Sequence, residues 1–219
     1  MLQATLLAIW MLSSGHHHGF ENVCSCDEIR WTNGWCGHCT TGYVAGLEVG
    51  SYTLIDALDT HGHVVTPAWL ECDLCRKASA ENGSCARCGW GIVGERIYGS
   101  KLTYYLALAK PTDRGGIRCE RGESHTGNSG WCESCGLGWV GPFALDDRAV
   151  YEAAHREYQL LQVAVETLNR CESCALACYY GSICPTCKVV YRDGQPYRSA
   201  AAEGAVPVGE GAAPVVEGP

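Results

Sequence analysis

Sixteen of the 219 residues are cysteine, and most of them come in close pairs. Four C-x-x-C pairs stand out: Cys36/Cys39, Cys85/Cys88, Cys132/Cys135 and Cys184/Cys187, separated by 49, 47 and 52 positions. Upstream of them lie Cys24/Cys26, Cys72/Cys75, Cys119 and Cys171/Cys174. The step from the last upstream cysteine to the first downstream one is ten residues in three cases: 26 to 36, 75 to 85 and 174 to 184. Thiolates in closely spaced pairs of pairs are the ligands of soft, tetrahedral metal centres. Two other chemistries use the same residues. Eight disulfides would suit an exported chain, and Trp35-Cys36-Gly37-His38-Cys39 reads as a dithiol-exchange site. That exchange site would need a strand before it and a long helix after it, whereas Thr40-Thr41-Gly42 reads as a turn. Metal is the favoured reading because the spacings agree at several places along the chain.

The text around the pairs keeps register as well. TTGYVAG (40–46), GWGIVG (89–94) and GLGWVG (136–141) place a glycine three positions after the last cysteine, then a bulky residue and valine. The fourth segment, KVVYRDG (188–194), departs from this pattern. A glycine just after a C-x-x-C lets the chain turn with positive φ so that backbone N–H groups face the sulfurs. The apolar pair that follows predicts a short strand.

Each segment resembles the zinc ribbon or rubredoxin-type knuckle, over 15 to 20 residues in four places. In that family two C-x-x-C turns joined by a hairpin hold one cation. The resemblance implies an α+β protein of four zinc-ribbon β-hairpin modules joined by helices, with about four zinc ions per chain. Its ligand sets would be Cys24, Cys26, Cys36 and Cys39; Cys72, Cys75, Cys85 and Cys88; Cys119, Cys132 and Cys135, with His125, a bound water or nothing in the fourth place; and Cys171, Cys174, Cys184 and Cys187. Iron is the alternative metal, because rubredoxin uses the same four thiolates for electron transfer. Cys178 is left over, as a free thiol or an alternative ligand. His16, His17, His18, His61 and His63 are secondary candidates for metal, the first three only if cleavage after Gly15 exposes an amino group.

The elements that must position these groups are short. Ser51 caps a predicted helix carrying Leu54, Ile55 and Leu58, and Ser100 caps another carrying Leu102, Tyr105, Leu106 and Ala109. The longest helix is expected over about 146–170, with Val150, Ala154, Tyr158, Leu161, Val165 and Leu168 on one face. The predicted organisation is an apolar and His-rich start (1–18), a first unit (19–60), a second (61–111), a third with the long helix (112–170) and a fourth (171–194). A disordered tail rich in Ala, Gly and Pro follows (195–219). Units of about 44 residues sit near the size below which an apolar core alone seldom suffices, so metal would supply part of the folding energy.

Leu2 to Leu12 is apolar, too short to span a bilayer and of signal-peptide length. It points to an exported, periplasmic or extracellular chain, or else to a cytoplasmic one with a membrane-associated N-terminus. A formal net charge of −8 speaks against nucleic acid as a partner. The sequence has no G-x-S-x-G, H-E-x-x-H or P-loop motif. The reading is therefore a non-enzymatic scaffold or protein-interaction module, set for example in an envelope-associated complex. Soft-metal storage or delivery is the alternative, with electron transfer through iron centres a third class.

Overall fold

The computed structural model describes Cys24, residues 26–110 and residues 129–197. Among these residues it is a small α+β protein with six helices and four small antiparallel sheets. Expectations for Met1 to Gly15, His16, His17, His18, Cys119, His125 and the tail beyond Tyr197 lie outside the described residues.

The chain opens with helix α1 (Cys26–Thr32), which leads into a sheet of β1 (Gly34–Cys36), β2 (Thr41–Val44) and β3 (Leu47–Val49). Helix α2 (Tyr52–Ala57) follows, and Ser51 caps it as expected, its hydroxyl accepting from the Leu54 amide at 3.0 Å. The next segment contains β4 (His63–Val64), a 3-10 turn (Pro67–Trp69), α3 (Asp73–Glu81), β5 (Gly91–Val93), β6 (Arg96–Tyr98) and α4 (Lys101–Ala107). Its sheet has the order β4-β6-β5. Beyond residue 128 come β7 (Gly130–Cys132), β8 (Leu137–Val140), β9 (Phe143–Leu145) and the long helix α5 (Arg148–Leu168). The described chain closes with α6 (Glu172–Tyr180) and the hairpin of β10 (Val190–Arg192) and β11 (Gln195–Tyr197). That last strand carries ordered structure three residues into the segment expected to be tail.

One arrangement recurs after three of the knuckles. Gly42, Gly91 and Gly138 lie in strands whose face is covered by the next helix, and a Cβ built on any of them would overlap Ile55, Tyr104 or Tyr151. Each packed side chain comes thirteen positions later: 42 to 55, 91 to 104, 138 to 151. Glycine here lets a helix lie directly on the strand backbone. The registers agree too, Trp35 opposing Gly42 and Trp131 opposing Gly138.

The main core is built from Val44, Val49, Leu54, Leu58, Leu102, Val140, Leu145 and Leu161, all almost inaccessible, with α5 and α6 packed together across it. On α5 the buried positions are Tyr151, Ala154, Tyr158, Leu161 and Ala164. The stripe is rotated slightly from the predicted one, so that Val150 and Val165 sit at its edge. A second, much smaller core holds only Leu70, Cys75, Ala78, Cys85 and Ile92. No helix among the described residues is long and apolar enough to cross a membrane.

Candidate metal centres

Three groups of four sulfurs converge: Cys24, Cys26, Cys36 and Cys39; Cys72, Cys75, Cys85 and Cys88; and Cys171, Cys174, Cys184 and Cys187. Within each group all four Sγ atoms lie within 4.8 Å of one another. No described cysteine is disulfide-bonded. A tetrahedron of sulfurs about 2.3 Å from a central zinc has edges of about 3.8 Å. The separations Cys24–Cys36 at 3.9 Å, Cys72–Cys85 at 3.8 Å and Cys171–Cys184 at 3.9 Å match that edge. The Cys24–Cys39 separation, at 3.0 Å, is tighter. Four thiols facing one point without bonding to each other form a donor set that fits a soft divalent cation.

The downstream pairs sit as the spacing predicted. Cys36 ends β1, and the chain turns through Cys39 into β2; the corresponding residues after the other pairs begin short strands. Thr40, Gly89, Gly136 and Lys188, each directly after its C-x-x-C, have φ of 50°, 74°, 62° and 58°. This left-handed residue closes the knuckle, so that the Cys88 and Cys187 amides donate to the Cys85 and Cys184 sulfurs at 3.3 Å. Because β2 follows Cys39, the pair Cys36/Cys39 is on a strand-to-strand turn and not at the head of the helix that a thioredoxin-type exchange site requires.

The upstream pairs differ from the ribbon expectation. Cys72 and Cys171 are N-cap residues, and Cys75 and Cys174 stand in the first turns of α3 and α6. Cys26 is the first residue of α1. Half of each site is thus a helix N-terminus, not a hairpin turn. The physical reason is that a helix start also presents free N–H groups and a positive dipole end to thiolates. In the second and fourth units the helix then ends on a left-handed residue, Asn82 (φ 52°) or Gly181 (φ 61°), which swings the chain back to the knuckle.

These surroundings divide the thiols. The Cys88 amide brings Cys85 down to about 7, and the Cys75 amide lowers Cys72. At Cys184 burial acts upward, but the Cys187 amide and neighbouring thiols bring it to about 7. Burial pushes Cys75 and Cys174 up instead, and sharing a proton with Cys24 raises Cys26. In the Cys72 and Cys171 tetrads, thiols that ionise readily thus stand beside thiols that stay protonated until a cation arrives.

The remaining candidates are not gathered. Cys132 and Cys135 occupy a knuckle like the others, but Cys119 and His125 lie outside the described residues, so only half of that expected site is visible. The Cys132 sulfur lies 3.0 Å from the Ser134 hydroxyl. Cys178 stands apart from its neighbouring tetrad; its buried thiol donates to the Gly194 carbonyl at 3.2 Å, and burial raises it. His63 Nε2 lies 3.5 Å from Asp59 Oδ1, while His61 leans over Gly34, and among the described residues neither joins a group of three or more metal-ligating residues. Sequence reasoning missed the helix α3–α6 role in the sites, although Asp73 and Glu172, acidic residues directly after Cys72 and Cys171, are a helix-start signal.

No family model, curated protein or solved structure matches this chain.

Proposed function

We propose that the chain is a non-enzymatic scaffold that carries zinc in at least three Cys₄ centres and presents a surface to a protein partner. The observation that carries this reading is the closure of the tetrads. Four thiolates fill a tetrahedral ion completely, whereas catalytic zinc keeps one position for water or substrate. A closed site contributes folding energy instead, on the order of 10 kcal/mol in small zinc domains. The second unit supports the same view, because its core of Leu70, Cys75, Ala78, Cys85 and Ile92 contains two of its own ligands. Exposed Val64, Trp69, Leu74 and Trp90 on that unit supply apolar surface for a partner.

Elemental analysis of the purified protein, with thiol counting under denaturing conditions, tests this. At least three zinc per chain, no disulfide and a colourless solution are expected. A red, iron-bearing protein would favour electron transfer. Loss of metal to a moderate chelator with helicity intact would favour a metal carrier.

A further inference from the structure

Between β6, α4 and the loop after α2 lies a cleft of about 360 Å³ that the metal centres do not use. Its wall includes Thr60, His61, Arg96 and Tyr98, and its apolar floor is formed by Leu106 and Phe143. No carboxylate among the described residues lines it. Arg96 is fixed in place, its Nη1 donating to the carbonyls of His61 at 2.8 Å and Gly62 at 3.1 Å. Among the described residues Arg96 forms no ion pair, although the chain carries 24 acidic side chains against 16 basic ones. Among the described residues the rest of its guanidinium fork has no hydrogen-bond partner. A held cation beside an imidazole, a hydroxyl and a phenol, above apolar side chains, is the donor set that recognises an oxyanion on an apolar stem.

We infer that this cleft binds a small organic anion, with its phosphate or carboxylate on Arg96 and His61 and its apolar portion against Leu106 and Phe143. The volume stands near the lower end of ligand pockets, about 300 to 1,000 Å³, and sets the ligand size at one ring or a short chain. Binding requires no metal exchange and is separate from the scaffold reading.

The test is a ¹H–¹⁵N NMR titration of the metal-loaded full chain with phenyl phosphate, phenylacetate, inorganic phosphate and benzyl alcohol. The two organic anions should shift the Arg96 side-chain signals and the Tyr98 and Thr103 amides saturably, binding more tightly than inorganic phosphate or the neutral alcohol. Arg96→Gln should weaken phenyl phosphate about tenfold or more, as loss of a charge-assisted contact does. Because Arg96 also ties down its loop, Tyr98→Phe and Phe143→Ser provide independent checks; each should weaken binding with metal content unchanged. Lys110→Gln, whose ammonium pairs with Asp146 at 2.7 Å and does not line the cleft, is the surface-charge control. Unchanged affinity in Arg96→Gln, equal affinity for benzyl alcohol, or shifts scattered away from the cleft would overturn the assignment. Metal content measured on the same samples tells such a failure apart from failure of the zinc reading.

Discussion

At the scale of single residues, glycines separate crowding from backbone conformation. Gly91 lies in a strand beneath the Tyr104 ring, where any Cβ would overlap it, whereas Gly94 has open space around it but a φ of +59°. Gly91→Ala must push Tyr104 and α4 off the strand, an overpacking cost of about 1 to 3 kcal/mol. Gly94→Ala meets only the left-handed penalty, about 1 kcal/mol. Urea unfolding at saturating zinc should therefore show the larger loss of midpoint for Gly91→Ala; equal losses would mean that α4 yields freely. The cysteines themselves were almost fully legible in the sequence, because three of the ligand quartets follow from a constant ten-residue step. Cys178 was not legible. Nothing in spacing tells a buried thiol bonded to the Gly194 carbonyl from an extra ligand one helical turn beyond Cys174.

At the scale of elements, the sequence announced α2, α4 and α5 through caps and apolar stripes, but not α3 and α6. Asp73–Glu81 is polar on most of its surface and buries only Cys75 and Ala78; Glu172–Tyr180 is apolar nearly all round. Glu172–Tyr180 carries no single stripe of helical period, and the buried stripe on Asp73–Glu81 is reduced to Cys75 and Ala78, the first of them a candidate ligand, so the expected hairpin hid both helix starts. Ser100 marks the start of α4 correctly, yet its hydroxyl makes no capping bond and instead meets the Tyr179 phenol at 2.9 Å in the interior. Tyr179→Phe strands that buried hydroxyl and should cost about 1 to 3 kcal/mol in thermal unfolding. The two helices that carry tetrad cysteines also differ in support. Helix α6 packs on α5 within the main core, tied to α2 by Ser51, which donates to Glu172 at 2.5 Å, while α3 has only the small second core. Stripping metal should accordingly abolish hydrogen-exchange protection in α3 first, with α5 and α6 still protected. Simultaneous loss in all three helices would show that the second unit is not an independent cooperative element.

At the scale of the whole molecule, the first and third hairpins meet at corresponding turns, Ala45-Gly46 against Gly141-Pro142. A Cβ on Gly141 would overlap the Ala45 carbonyl, a contact between parts of the chain nearly a hundred residues apart that no local pattern could disclose. The charge, by contrast, follows from composition once the sulfurs are known to converge. The chain carries −8 with its thiols protonated. Each filled Cys₄ site adds four thiolates and one dication, net −2, so three sites give −8 + 3 × (−2) = −14. A field of that sign repels phosphate backbones and favours a basic or uncharged protein surface as partner. Replacing Cys72, Cys75, Cys85 and Cys88 together by serine removes one site and should leave −12. The isoelectric point of the loaded variant must then rise relative to the loaded parent, with one zinc fewer by native mass spectrometry. If the zinc count falls and the isoelectric point stays where it was, those four sulfurs do not bind as thiolates, and the structural role assigned to the tetrads fails with them.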